Sequence, residues 1–151
     1  MRVGIGYDAH PFAEGRHLVL GGVEIGHGKG LEGHSDADVV THAVIDAVLG
    51  AAGLGDLGTH FPPSEDRWRN ANSLDLLRTV LGQLPGSIVN VDATVICEEP
   101  RLAEHRSEME RLLTEAAGAP VSVKATTNEG MGWVGRGEGI ACMAVALVDL
   151  G

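Results

Sequence analysis

The apolar residues of this chain change period along its length, and that change restricts the fold more than any other property of the sequence. Residues 2–8 (RVGIGYD) alternate as a strand requires, and residues 18–25 (LVLGGVEI) read as a short hairpin turning at Gly21 and Gly22. A helical period follows. Val40, Ala43, Val44, Ala47, Val48 and Ala51 form one stripe, with Ser35 as the expected helix start, Asp38 completing an acidic variant of the capping box and Gly53 as the stop. Residues 53–72 are rich in Gly, Pro and Asp and are expected to be loop. A second helix is expected over 73–81, after which Pro85 and Gly86 turn the chain into a strand over 88–97. Pro100 suits the first turn of a third helix that Gly118 and Pro120 end. Strands at 121–126 and 140–150 flank a loop holding Gly130, Gly132, Gly135, Gly137 and Gly139. The order β, ββ, α, α, β, α, β, β predicts an α+β fold, a mixed β-sheet with helices on one face.

Length and composition exclude several alternatives. With 151 residues and no internal repeat or linker, the chain is expected to be a single domain over 1–151, large enough to bury a core without disulfides. A hydrophobic fraction of 44% against 21% charged residues is that of a packed globule, not a disordered segment. The net charge of -10 argues against nucleic acid as a partner, since phosphate backbones are gripped by clustered Lys and Arg. Aromatic residues at 3% leave few platforms for base stacking. Met1 leads into an alternating segment, so neither a signal nor a transit peptide is visible, and the apolar stretches are too short to span a bilayer. A cytoplasmic location is expected, with Cys97 and Cys142, isolated in apolar runs, as buried free thiols.

Three constellations carry chemistry. Asp8 and His10 lie at i and i+2 in an extended segment and so share a face, while Asp38, His42 and Asp46 form a polar stripe at i, i+4 spacing. Asp8, His10 and His42 would suit a tetrahedral Zn²⁺ with an open fourth position; a loop Asp-x-His and a solvated helix face are the plain alternatives. Gly33-His34-Ser35-Asp36 at the expected helix start could bind an anion or simply cap the helix. In the run from Lys124 to Gly139, a strand ends in Thr126, Thr127, Asn128 and Glu129 before the Gly-rich loop. Its N–H groups could approach phosphate while Glu129 holds a hard cation such as Mg²⁺; a wide hairpin turn is the alternative.

Taken together, Tyr7-Asp8-Ala9-His10-Pro11-Phe12, Gly33 to Asp38 through His42, Gly55-Asp56-Leu57-Gly58 with Phe61-Pro62, Lys124 to Thr127 and Gly135 to Gly139 resemble the 2-C-methyl-D-erythritol 2,4-cyclodiphosphate synthase family over essentially the whole chain. That resemblance implies a metal-dependent lyase of non-mevalonate isoprenoid biosynthesis. It would convert 4-diphosphocytidyl-2-C-methyl-D-erythritol 2-phosphate to the 2,4-cyclodiphosphate with release of CMP, as a homotrimer with active sites at subunit interfaces. By the same resemblance Asp8, His10 and His42 would hold Zn²⁺, and Glu129 a Mg²⁺ or Mn²⁺ on the substrate diphosphate. His34 and Thr127 would stabilise the transition state. Ser35, Asp56, Leu57, Gly58 and Phe61 would contact the erythritol phosphate end, and Pro100, Arg101, Leu102, Ala103, Thr126 and Thr127 would form the cytidine pocket. Trp133 would pack as an apolar wall. Arg136 and Glu138 would line a cavity on the threefold axis that accepts an isoprenoid diphosphate.

The sequence departs from the family pattern at Pro63, where a carboxylate is usual, at Arg101, where Lys is usual, and at Trp133, where Phe is usual. Because the nucleophile in such a reaction is a phosphate of the substrate, already anionic, no Ser-His-Asp or Cys-His arrangement is needed, and none is evident. Two other functions remain compatible with these residues: a metal-dependent nucleotide phosphohydrolase, and a non-catalytic trimeric binder of isoprenoid diphosphates.

Overall fold

The computed structural model describes residues 1–151. The strands are β1 (Arg2–Ala13), β2 (Leu18–Leu20), β3 (Val23–Ile25), β4 (Gly30–Leu31), β5 (Ser87–Ile96), β6 (Val121–Thr126) and β7 (Gly139–Asp149). The helices are α1 (Val39–Ala52), α2 (Leu57–His60), α3 (Ser73–Gln83), α4 (Arg106–Ala117) and α5 (Gly132–Gly135), with a 3-10 turn at Asp66–Trp68. Five strands form one sheet in the order β4-β1-β7-β5-β6, and β2 pairs with β3 as a separate hairpin. The sheet is mixed: β1 and β5 both run antiparallel to β7, while β5 and β6 are parallel, joined by the crossover through α4.

Side-chain size decides how α1 lies on the sheet. The even-numbered residues of β1 face the helix, and two of them are Gly: a Cβ on Gly4 would strike the Ala47 carbonyl, and one on Gly6 the Ala43 carbonyl. Glycine in the strand and alanine in the helix therefore permit a close approach of the two backbones. Helix α1 packs on β1, β7 and β5 and is in turn covered by α3. Its apolar stripe is accordingly too narrow a description: 11 of its 14 residues are buried.

The odd-numbered residues of β1 point the other way. Val3 is 68% and Ile5 65% exposed, and Tyr7, Met143 and Val145 on the same sheet are exposed as well, while Ala144, Ala146 and Val148 are buried beneath α1. The helices thus cover one face, and the opposite face of β1 and β7 is bare and apolar.

Several boundaries differ from expectation. Helix α1 begins at Val39 with Asp38, not Ser35, as its N-cap. The Asp38 carboxylate accepts from the Thr41 N–H (3.0 Å) and hydroxyl (2.8 Å) and from the N–H groups of Gly21 (2.8 Å) and Gly22 (2.7 Å). The β2–β3 turn and the helix start share one carboxylate, which is buried inside the fold and does not continue a polar stripe through His42. The segment 53–72, expected to be loop, contains α2 and the 3-10 turn. Helix α4 starts at Arg106, and 100–105, where Pro100 is expected to open the helix, has no regular structure. Strand β1 continues past Asp8 to Ala13 because β7 pairs with it as far as Pro11, His10 facing Ile140 and Pro11 facing Gly139, and β4 pairs with Phe12 and Ala13.

Candidate metal centre and nucleotide pocket

The alternation that turns Gly4 and Gly6 toward α1 also turns Asp8 and His10 toward it, where His42 stands next to Ala43, the residue that Gly6 packs against. Asp8 Oδ2 lies 2.8 Å from His10 Nε2 and 3.0 Å from His42 Nδ1, and the two ring nitrogens are 3.3 Å apart. All three ligating atoms fall within 4.8 Å of one another. Two imidazole nitrogens and a carboxylate oxygen converging in this way fit a tetrahedral cation with one position left for a ligand.

The electrostatics agree with that donor set. Burial alone would push the Asp8 carboxyl up, but the hydrogen bonds and charges of His10 and His42 outweigh it and hold it at about 2. Burial would likewise lower the pKa of His42; the Asp8 hydrogen bond and the charges of Asp8, Asp38 and Asp36 outweigh that and raise it. Desolvation, with the neighbouring Asp36 charge, pushes Asp38 up. Asp46 is pushed up by burial and by the charges of Asp8 and Asp56.

The cluster forms the floor of a cavity of ≈ 220 Å³ that is also lined by His34, Ser35, Leu57, Gly58, Phe61, Pro63, Trp68 and Leu76. His34 is fixed by its Nε2–H donating to the Glu65 carbonyl at 3.0 Å. Pro63 therefore puts an apolar ring where an acidic side chain would offer an acceptor. Asp46, expected on a stripe with Asp38 and His42, accepts the Leu57 N–H at 2.7 Å and so anchors the 55–58 turn. Asp56 caps α2, accepting from the N–H and hydroxyl of Thr59, both at 2.8 Å. The run Gly33 to Asp36 lies ahead of the helix and not at its N-terminus, which Asp38 caps by accepting the Thr41 N–H.

A second cavity, ≈ 270 Å³, is lined by Pro100, Arg101, Leu102, Ala103, Thr126 and Thr127 together with Cys97, Glu98, Arg106 and Met109. It brings together the two segments expected to form one pocket, and it shares no lining residue with the first cavity. Burial and the adjacent Glu98 push the Cys97 thiol up to about 11, so it is inert here as a nucleophile. In the Gly-rich loop the N–H groups of Asn128 (3.1 Å) and Gly130 (2.6 Å) donate to the Glu98 carboxylate. Those two donors, expected to be free for phosphate, are already engaged. Glu129 between them has a left-handed backbone (φ 55°), with its N–H donating to Thr127 Oγ1 at 3.2 Å and its side chain exposed. Trp133 lies away from the second cavity, in a shallow cleft with His10, Pro11 and Glu138. Arg136 pairs with Glu138 at 2.6 Å on the surface.

Sequence reasoning did not single out Trp68, Leu76, Arg106 or Ser73. Trp68 and Leu76 sit in segments read as loop or as core helix, and Ser73 carried only a helix-start signal. The signal available for Trp68 was its rarity in a chain with two Trp.

Comparison with known proteins places these features in a family. The YgbB family model matches residues 1–149. The 2-C-methyl-D-erythritol 2,4-cyclodiphosphate synthase of Symbiobacterium thermophilum is 56% identical over 154 aligned positions, covering 98% of each chain. Among solved structures, the bifunctional IspDF from Campylobacter jejuni aligns 41% of its length with 96% of this chain at a TM-score of 0.91 and 38% identity. A 2C-methyl-D-erythritol-2,4-cyclodiphosphate synthase in its CDP-bound form aligns in full with 98% of this chain at a TM-score of 0.88 and 32% identity. With one family spanning nearly every residue and the same fold recurring in its solved members, the chain belongs to the YgbB family, that of the 2-C-methyl-D-erythritol 2,4-cyclodiphosphate synthases.

Proposed function

We propose that this chain converts 4-diphosphocytidyl-2-C-methyl-D-erythritol 2-phosphate into 2-C-methyl-D-erythritol 2,4-cyclodiphosphate and CMP, as a single catalytic domain over 1–151. The observation that carries the reading is the convergence of Asp8, His10 and His42 on the floor of a cavity edged by His34, Ser35 and Gly58. An oxygen of the 2-phosphate forms a bond to the β-phosphorus while the bond from that phosphorus to the α-phosphate bridging oxygen breaks, and CMP leaves. The nucleophile belongs to the substrate, so positioning and charge neutralisation are the work left to the protein. A zinc ion on Asp8, His10 and His42, with Mg²⁺ or Mn²⁺ on Glu129 and the diphosphate, would supply Lewis-acid polarisation and neutralise the leaving group.

The protein's own groups supply orientation. Ser35, Leu57, Gly58 and Phe61 hold the erythritol end in the first cavity, Asp56 next to Leu57 completes that contact from outside the cavity lining, and His34 faces the reacting phosphates. Pro100, Arg101, Leu102, Ala103 and Thr126 receive the cytidine, and Thr127 donates to an equatorial phosphoryl oxygen. In one chain these groups occupy two separate cavities, a division that a homotrimer resolves by setting the nucleotide pocket of one subunit against the metal pocket of the next. The bare apolar face carrying Val3, Ile5, Tyr7, Met143 and Val145 is the surface suited to that assembly. Arg136 and Glu138 would then approach the threefold axis, where an isoprenoid diphosphate could meet the Arg136 charge. No helix is long and apolar enough to cross a membrane.

Phosphorus NMR of the chain with the candidate substrate, zinc and magnesium tests the reading. Cyclic diphosphate and CMP in equal amounts are expected; a linear phosphate product carrying solvent oxygen would make the chain a hydrolase, and no turnover with tight isoprenoid diphosphate binding would make it a binder.

A further inference from the structure

We propose that Ser73 and Asp36 are positioning residues that fix the proton of His42 on Nε2 and so present Nδ1 to the metal; the inference rests on the metal reading given above. His42 is 4% exposed, and both ring nitrogens are engaged. Nδ1 faces Asp8 at 3.0 Å, whereas Nε2 lies 2.9 Å from Ser73 Oγ and 3.0 Å from Ser35 Oγ. A neutral imidazole has one N–H, and a histidine that ligates through Nδ1 must carry it on Nε2.

The direction of the Ser73 hydroxyl decides the matter. Ser73 Oγ makes a short contact to Asp36 Oδ1, and a carboxylate only accepts, so the hydroxyl proton goes to Asp36. With that proton spent, Ser73 Oγ offers His42 only a lone pair, so the ring is the donor in that bond, and Ser35 Oγ, which also accepts the Ala37 N–H, is placed as a second acceptor for the same Nε2 proton. Ser73 has no solvent exposure, so no water competes for either bond. Asp36 grips Ser73 twice, since its Oδ2 also accepts the Ser73 N–H at 3.0 Å. Asp36 is in turn held where the chain approaches α1, its N–H donating to the Ala71 carbonyl at 3.0 Å. The relay Asp36, Ser73, His42 thus runs from the loop before α1, through the first residue of α3, to the metal ligand on α1. A carboxylate at its far end makes the ring a stronger base toward the cation, as second-sphere carboxylates do at metal-bound histidines.

The test uses the full chain, the variants Ser73→Ala, Asp36→Asn and their combination, and zinc alone as probe, with dissociation constants from chelator competition and melting of the metal-free forms as a control on folding. Asp36→Asn is the sharper variant. Its amide oxygen can keep the Ser73 N–H, which turns an NH₂ toward Ser73 Oγ, sends the hydroxyl proton to His42 Nε2 and drives the ring proton onto the ligating Nδ1. Each single variant is expected to weaken zinc binding about 10- to 100-fold, with the double variant no weaker than Asp36→Asn because the two act through one path. Long-range ¹H–¹⁵N spectra of the wild-type zinc form are expected to show a His42 Nε2 proton protected from exchange, with cross-relaxation to the Ser73 β-protons; this reading survives a variant that fails to fold. Tight zinc binding by wild type with both variants within twofold of it, or a freely exchanging Nε2 proton without contact to Ser73, overturns the relay and leaves the metal site standing. Wild type that binds no zinc removes both.

Discussion

The metal cavity and the nucleotide cavity differ little in size, ≈ 220 and ≈ 270 Å³, yet they are built in opposite ways. In the first, His42 and Ser35 are buried, as is Ser73 behind His42, and their polar atoms are paired, so the donor set is rigid before any ligand arrives. In the second, Arg101, Ala103, Thr126 and Thr127 are exposed and lie on a strand end and an irregular segment. A cation can be held by one chain, because its ligands come from β1 and α1, which pack on each other. The chain offers no residue common to both cavities. The difference teaches that, under the function proposed above, one subunit would suffice to hold the metal whereas turnover would need the proposed trimer.

The largest expected effect breaks the first half of that statement. His42→Ala removes a ligand and leaves a buried space beside Asp8 and Ser73, and it should abolish tightly bound zinc and lower kcat by at least about 10³-fold. Metal analysis is the check, and stoichiometric zinc in the purified variant would take His42 out of the ligand set.

The second half is broken from the other side of the sheet. Val145→Asp puts a charge in the middle of the bare face, where desolvation on assembly is costly. Light scattering should show the mass falling from three chains to 15.7 kDa, with turnover lost and zinc retained. Full turnover by a monomer of that mass would show that one chain suffices.

Thr127→Ala sharpens the comparison more finely, since Thr127 lies in the nucleotide cavity and its hydroxyl accepts the Glu129 N–H. Loss of a preorganised donor to a phosphoryl oxygen is expected to reduce kcat about 10²-fold while zinc content stays at the wild-type level. Wild-type kcat would end that role.

The sequence revealed the two regions unequally, for physical reasons. Strand β1 was legible over its alternating residues 2–8, but its continuation through Asp8, His10 and Pro11 is imposed by pairing with β7, against the local preference of those residues. The start of α1 was misplaced by a few positions because Ser35 and Asp38 are both good caps. The choice between them is made by Gly21 and Gly22, whose N–H groups arrive from a distant hairpin. Pro100 read as a first-turn helix residue, whereas it belongs to the irregular wall of the nucleotide cavity. Spacing could place Asp8 beside His10, but nothing local joins them to His42, and the Gly4 and Gly6 contacts that do so are tertiary. The role of Ser73 was hidden for the same reason: its partners are 31 and 37 residues away.

The smallest effect tests whether the metal cavity is shaped for a cation at all. Burial, with the charges of Asp8 and Asp56, raises the Asp46 pKa, and the Leu57 N–H only partly offsets them. A carboxyl raised on folding keeps its proton to higher pH in the folded state than in the unfolded one. Stability is therefore lost as pH rises from the ordinary carboxylate value of 3.8 through the raised value, and the whole cost is present at neutral pH. Asp46→Asn removes the charge but keeps an acceptor for Leu57. Because the side chain is partly exposed, screening limits the gain, and the metal-free variant is expected to melt roughly 1–2 °C above wild type at pH 7. Below the unfolded pKa both side chains are neutral, so the gain should vanish near pH 3. It should also shrink when zinc is bound, since a cation on Asp8 cancels the charge that burdens Asp46. A gain that grew on acidification, or that was unchanged by zinc, would mean that Asp46 does not sense the negative field of this site.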